Sequence, residues 1–188
     1  MYKVISIEDK EPVTLDEAAA HVGMVSTDPG YELLAVRITA AREIAEQYTR
    51  RGLVVRTVES AFDRFPCSNN EPIGLEFSPV TSVTSVKYTD ANGTEQTLDP
   101  AAYTFNTYGD QNEIYLNYGM LWPVTQTIRN AVRVRYVCGY AEPPYSVRAA
   151  ILLMVGWMTE NRGETATVND IQPPAAKAVL ETVKRWGC

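Results

Sequence analysis

The sequence predicts an α+β fold: an α-helical bundle of about four helices with an inserted antiparallel β sub-domain. Three observations carry this reading. Within Pro144 to Gly163, eleven consecutive uncharged residues, Ala149 to Thr159, lie between Arg148 and Glu160, with large apolar side chains on every side. A helix of that kind belongs in a core. Leu34, Ile38, Ala41, Ala45 and Tyr48 step by four and three, marking one buried helix face. Between them, residues 53–138 change to a period of two, rich in β-branched and aromatic residues and broken by turn signals. Residues 1–52 and 139–188 therefore read as the helical domain and 53–138 as the insert.

The elements follow in order. Thr14-Leu15-Asp16-Glu17 is a capping box, the Thr14 hydroxyl accepting the Glu17 N–H while the Glu17 carboxylate reaches back, and it opens a short helix to about Val22. Ser26-Thr27-Asp28-Pro29 opens a longer helix to about Arg51, stopped by Gly52. Ala41 and Ala45 are small enough for Gly156 of the central helix to approach, so these two helices are expected to pack together. From Leu53 the run LVVRTVESAFDRF alternates imperfectly, but its β-branched content favours a strand. The loop PCSNNEP is followed by strands at Ile73 to Phe77 and around Val83, Val86 and Tyr88, with Asp90-Ala91-Asn92-Gly93 as a hairpin turn. Short strands are expected at Tyr103 to Phe105 and Ile114 to Leu116. A last one runs from Ala131 to Cys138, with Val132, Val134, Tyr136 and Cys138 alternating against Arg133 and Arg135.

Pro144 suits the first turn of the central helix and Gly163 a left-handed stop. The apolar run is well short of the roughly 20 residues that cross a bilayer, so no membrane span is expected. A polar loop, Glu164 to Gln172, precedes a final helix from Pro173-Pro174, with Ala175, Val179, Val183 and Trp186 at helical spacing and Lys184 and Arg185 in its last turn.

Composition narrows the function classes. At 188 residues, 45% hydrophobic and 21% charged, the chain suits one folded domain with a sub-domain. A net charge of −6 without any block of Lys and Arg disfavours gripping nucleic acid through its phosphates. MYKVISIEDK has no apolar run of signal-peptide length, so secretion is not expected. Three widely spaced cysteines, Cys67, Cys138 and Cys188, support neither a disulfide framework nor a zinc site; reduced thiols are expected, Cys138 buried in a strand and Cys188 exposed.

Catalytic chemistry has few visible parts. The only histidine, His21, sits at a helix end without metal-ligand spacing around it. There is no G-x-S-x-G, P-loop or dinucleotide fingerprint, and no cofactor is implied. Asp63, Glu76, Asp110 and Glu113 lie in or beside the insert, and any two converging would supply the acid pair of a glycan hydrolase; solvated surface acids are the plainer reading. Tyr88, Tyr103, Tyr108, Tyr115, Tyr118 and Trp122 fit sheet packing, a protein contact surface or a stacking platform, although no interleaved cations favour the last.

Cys138-Gly139-Tyr140 ending a strand, Pro143-Pro144 opening a helix, Ala150-Ile151-Leu152-Leu153 within it and Glu160-Asn161-Arg162 closing it resemble the tailed-phage head-tail connector (adaptor) family. More narrowly, the chain is similar to the group with a β insert typified by gene product 8 of phage phiE125. Further pieces agree in order: Val13 to Ala18, Ala41-Arg42, Tyr48-Thr49, Arg51-Gly52-Leu53, Phe62 to Pro66 and Val83 to Val86. The resemblance spans about Val13 to Trp186. One departure is Thr159 before Glu160, where related sequences often carry an aromatic residue.

The resemblance implies a structural, non-enzymatic head-completion protein that forms a ring, often dodecameric, below the portal. Implied partners are the portal protein, a head-closure (stopper) or tail-completion protein and further copies of the chain. Genomic DNA passes through the lumen without sequence-specific binding, and the acidic balance suits that passage because like charge repels phosphate. The implied location is the virion's head-tail joint, with the host cytoplasm before assembly. In such families a C-terminal helix engages the portal or a neighbouring subunit. The matching segment, Pro174 to Trp186, offers Lys177, Leu180, Lys184, Arg185 and Trp186 as interface residues. A cellular α+β interaction module unrelated to virions is the other non-enzymatic reading.

Overall fold

A computed structural model describes residues 1–106, 112–161 and 173–185. In chain order the elements are β1 (Tyr2–Ile7), α1 (Leu15–Val22), α2 (Leu33–Thr49), β2 (Arg56–Phe62), β3 (Ile73–Gly74), β4 (Val80–Thr89), β5 (Glu95–Thr97), β6 (Tyr103–Phe105), β7 (Glu113–Leu116), β8 (Val132–Cys138), α3 (Tyr145–Glu160) and α4 (Pro174–Glu181). The architecture is α+β, as the periodicities require. Contacts divide the chain into a β unit, Met1–Glu8 with Val55–Tyr140, and a helical unit, Asp9–Val54 with Ala141–Cys188. The expected stop at Gly163, the polar loop from Glu164 to Gln172, and Tyr108, Asp110, Trp186 and Cys188 lie outside the described residues.

In the β unit, β8 is the middle strand of a five-stranded antiparallel sheet ordered β1-β2-β8-β4-β5. Its period of two sorts the side chains as expected: Val132, Val134, Tyr136 and Cys138 are fully buried. Arg133 and Arg135 take the opposite parity and pair with Glu95 and Glu59. A second sheet, β3-β7-β6, adds Ile73, Ile114 and Tyr103 to the same core, with Phe65, Leu75 and Trp122 from the connections. At the β4–β5 turn the Asp90 carboxylate accepts the N–H groups of Asn92 and Thr94, at 2.9 and 3.0 Å, and Gly93 takes φ +83°. These bonds favour the charged form, with Thr94 the leading cause, and hold Asp90 below its ordinary carboxylate range.

Sequence pattern alone places residues 1–8 with the helices. The backbone instead puts β1 on the sheet edge, pairing antiparallel with β2 from Tyr2 opposite Ser60 to Ile7 opposite Arg56. The partner lies about fifty residues away and β1 exposes almost all of its side chains, so neither a local turn nor an apolar stripe announces it. The expected strand at Ile73 to Phe77 shortens to two residues, because the chain bends at Glu76 and Phe77.

Tyr136 sets a pH limit for the β unit. Its ring is fully buried, its hydroxyl lies 3.3 Å from the Ser60 hydroxyl, and burial is the main cause that pushes the phenol up to about 12. Unfolded tyrosine ionises near 10, so the folded state favours the neutral form. This stabilisation is complete below about pH 10 and is lost as pH rises towards the folded value, about 3 kcal/mol in all. Urea titrations between pH 9 and 12 are expected to show that fall in wild type (about pH 10 onward) and a flatter profile in Tyr136→Phe.

The helical unit starts from the capping box, with the Glu17 N–H donating to Thr14 Oγ1 at 3.2 Å and the Thr14 N–H to Glu17 Oε2 at 2.9 Å. The second helix begins later than the sequence predicts. Asp28 Oδ2 accepts the Val25 N–H at 2.8 Å in a turn, and Gly30 at φ +93° cannot continue a right-handed helix, so α2 starts at Leu33. It ends on Arg50, which takes the left-handed conformation (φ 56°), two residues before the expected stop at Gly52. Leu34, Ile38, Ala41 and Ala45 form the buried face, and α2 packs against α3.

The all-round apolar character of α3 resolves into one fully buried stripe, Val147, Ala150, Ile151, Met154 and Val155, while Leu152, Leu153, Trp157 and Met158 are half-buried. Gly156 meets a different neighbour from the expected alanines. A methyl group built there would lie 3.4 Å from His21 Nε2 and 3.6 Å from Cδ2, so α1 supplies the close approach. That spacing is near ordinary contact, and the ring is at the exposed end of α1. Gly156→Ala is therefore expected to stabilise the protein by about 0.5–1 kcal/mol through helix propensity, read as a raised melting temperature.

The last helix shifts by one residue. Its buried positions are Ala176 and Leu180 rather than Ala175 and Val179, and it ends at Glu181 rather than running to Trp186. Thr182 Oγ1 donates to the Val179 carbonyl at 2.7 Å, and the next N–H groups reach back only three residues, tightening the chain out of the helix. Lys184 and Arg185 therefore follow the helix instead of forming its last turn.

Candidate interaction surfaces

The helical unit presents a groove of about 530 Å3 where α4 meets the end of α2, lined by Tyr48, Pro174, Lys177, Ala178, Glu181 and Lys184. Pro173 caps α4 and Pro174 occupies its first turn, which fixes where the helix begins. The Arg185 N–H donates to the Thr49 carbonyl at 2.9 Å and Arg51 Nε to the Val183 carbonyl at 2.6 Å, which tie the segment after α4 to the end of α2. Three side chains form the groove's polar centre. The Tyr48 hydroxyl donates to Glu181, while Lys184 Nζ lies 4.6 Å from the Tyr48 ring centroid and 3.8 Å from Glu181 Oε1. The Glu181 hydrogen bond, followed by burial, raises the Tyr48 phenol above its ordinary value.

The sequence-predicted interface residues divide on this geometry. Lys177 is exposed on the groove and Lys184 is half-buried in it, while Arg185, also half-buried, follows outside its lining. Leu180 is fully buried in the helical unit, so its side chain anchors α4 and is not available to a partner. Trp186 lies outside the described residues. Tyr48 and Glu181 complete the groove and escaped the sequence reading. The sequence signal for Tyr48 was its place at the end of the α2 stripe, where an amphipathic ring ends half-buried.

Among the described residues, the carboxylates weighed as a hydrolase pair, Asp63, Glu76 and Glu113, have separate partners. Asp63 Oδ1 accepts the Asn130 N–H at 2.9 Å, Glu76 Oε1 lies 3.3 Å from the N-terminal ammonium, and Glu113 accepts the Tyr115 hydroxyl. Asp63 lines a cleft of the β unit, and among the described residues no second carboxylate, which acid–base cleavage of a glycoside needs, lines it. Among the described residues no cluster of His, Cys, Asp and Glu could hold a metal ion, and no helix is long and apolar enough to cross a membrane. The aromatic set also divides: Tyr103 and Trp122 are core residues, Tyr88 packs on Phe65, and Tyr115 and Tyr118 are exposed.

Solved structures place the whole chain. A chain in the virion of a native gene transfer agent (GTA) particle superposes with a TM-score of 0.80 at 19% identity, covering 100% of this chain and 97% of that one. This chain has the fold of a GTA particle chain. Two further matches, with the same coverages, come from the neck of the empty GTA particle computed with C6 symmetry and the neck of the native particle computed with C12 symmetry. Their TM-scores are 0.77 and 0.74, at 19% and 18% identity. No protein-family model and no curated protein matches this sequence. The match covers 100% of this chain and so includes both units.

Proposed function

We propose that this chain is a structural head-tail connector, an adaptor or head-completion protein of a tailed bacteriophage, prophage or phage-like particle. It forms a ring below the portal and joins the DNA-filled head to the neck or tail. The observation that carries this reading is end-to-end fold likeness to chains of a particle and its neck, two of them in reconstructions with rotational symmetry. The ordered motifs from Val13 to Trp186 support the same assignment independently of the coordinates. Its partners are other copies of itself, the portal protein and a head-closure or tail-completion protein, and its role is non-enzymatic.

In this reading the groove beside α4 meets the portal or a neighbouring subunit. Lys177, Lys184, Arg185 and Trp186 supply the contact, and Leu180 holds α4 in place. The cations match an acidic partner face, and the Tyr48–Glu181–Lys184 cluster fixes their geometry before docking. The net charge of −6 keeps the lumen from holding DNA, and acidic side chains line it.

Electron microscopy of particles made after deletion of the gene tests the function. DNA-filled or DNA-leaking heads without joined tails, beside free tails, are the expected products. Normal, infectious particles lacking the chain would overturn the assignment.

A further inference from the structure

Two arginines of the β unit stand at one cleft without an ion pair among the described residues. Arg64 and Arg129 line an opening of about 720 Å3 formed by the chain after β2 and the loop before β8. By contrast, Arg133 and Arg135 pair with Glu95 and Glu59. The cleft's one carboxylate, Asp63, which accepts the Asn130 N–H, offsets only one of the two guanidinium charges. On a chain of net charge −6, this cleft carries unmatched positive charge.

The rest of its wall is built for contact. Val124 is 77% exposed and Ile128 44% exposed. Their loop is nonetheless tied down: the Trp122 N–H donates to Asn69 Oδ1 at 3.2 Å and the Gln126 N–H to the Thr89 carbonyl at 3.1 Å. These apolar side chains are held outward by fixed backbone. Behind them Trp122, 9% exposed and stacked on Phe65 with ring centroids 4.9 Å apart, backs the wall as a core residue.

We infer that this cleft seats an acidic, extended segment of a second copy of the chain, an inference that rests on the ring reading above. Carboxylates take the guanidinium forks of Arg64 and Arg129, and apolar atoms cover Val124 and Ile128. Charge complementarity selects the occupant. With 23 acidic against 17 basic residues, every neighbouring copy presents surplus carboxylates.

The test places the photo-crosslinking residue benzoylphenylalanine at Val124 in assembled particles. The expected product has twice the subunit mass, its bridging peptide comes from a second copy and contains Asp or Glu, and Arg64→Glu with Arg129→Glu reduces it by about tenfold or more. Arg64→Lys with Arg129→Lys retains part of it, which separates charge from folding. A cross-link to a different particle protein, or none although the chain is present, overturns the inference. If the chain is absent from particles, the connector reading fails instead, and sedimentation of the purified chain decides the cleft: self-association broken by the Glu variants supports it, and a monomer at all concentrations overturns it.

Discussion

Glu46→Ala is expected to destabilise the helical unit by about 3–5 kcal/mol, the range for removing one partner of a buried ion pair. Arg42 and Glu46 lie one turn apart on α2, and their side chains are each only 7% exposed, with Arg42 Nη1 2.9 Å from Glu46 Oε2. The other Glu46 oxygen accepts the Leu53 N–H at 2.8 Å, beyond the end of the helix. Arg42 Nε also donates to Glu11 Oε2 at 2.8 Å, and Thr39 donates to the other Glu11 oxygen at 2.9 Å. One carboxylate therefore both balances a buried guanidinium and satisfies the backbone where the chain leaves α2.

Truncation to alanine removes both services. Glu46→Gln keeps an acceptor for Leu53 but leaves Arg42 with less compensating charge, so an intermediate loss is expected. The double change Arg42→Met with Glu46→Leu removes both buried charges; the Leu53 N–H and Glu11 Oε2 each lose a partner, but Glu11 is 32% exposed and water can replace Arg42 there, so the double change should cost less than Glu46→Ala alone. Urea denaturation of the three variants orders them. A loss below about 1 kcal/mol for Glu46→Ala would show that the pair behaves as a solvated surface bridge.

Sequence pattern reached what is local or strictly periodic. The capping box needs only four residues, and the β8 alternation states its buried face without reference to the strands beside it. What it missed depends on distant partners. β1 is a strand because β2 lies beside it, not because its own residues alternate between core and solvent. Gly156 does signal a close approach, but the sequence offers Ala41 and Ala45 as readily as His21. The Arg42–Glu46 spacing reads as an exposed i,i+4 pair, because a single stripe through Leu34 and Ile38 gives no hint that the buried arc of α2 extends to Arg42, Glu46 and Thr49. The same limit holds at the surface. Lys177 and Lys184 were legible as a basic C-terminal segment, whereas the groove exists only because Tyr48 arrives from α2.

Ile151→Ala in α3 is expected to cost about 2–5 kcal/mol, and Leu152→Ala only about 1 kcal/mol. The two positions are adjacent leucine-sized apolar residues in the longest apolar run of the chain, and nothing in that run distinguishes them. The structure does: Ile151 is fully buried within the stripe that includes Val147, Ala150, Met154 and Val155, while Leu152 is half-buried one step around the helix. Removing three carbons from a close-packed site loses their transfer free energy and leaves a cavity whose neighbours cannot fully collapse. At Leu152 solvent already reaches part of the side chain, so less apolar area returns to water and no closed cavity forms. Equal losses at the two positions, measured by urea denaturation of the isolated chain, would mean that α3 is covered all round and that the stripe is set in the wrong phase. A large loss at Ile151 alone would leave the Leu152 side as apolar surface available to a neighbouring subunit. Repeating the pair in assembled particles then asks whether Leu152→Ala lowers incorporation without lowering the stability of the free chain.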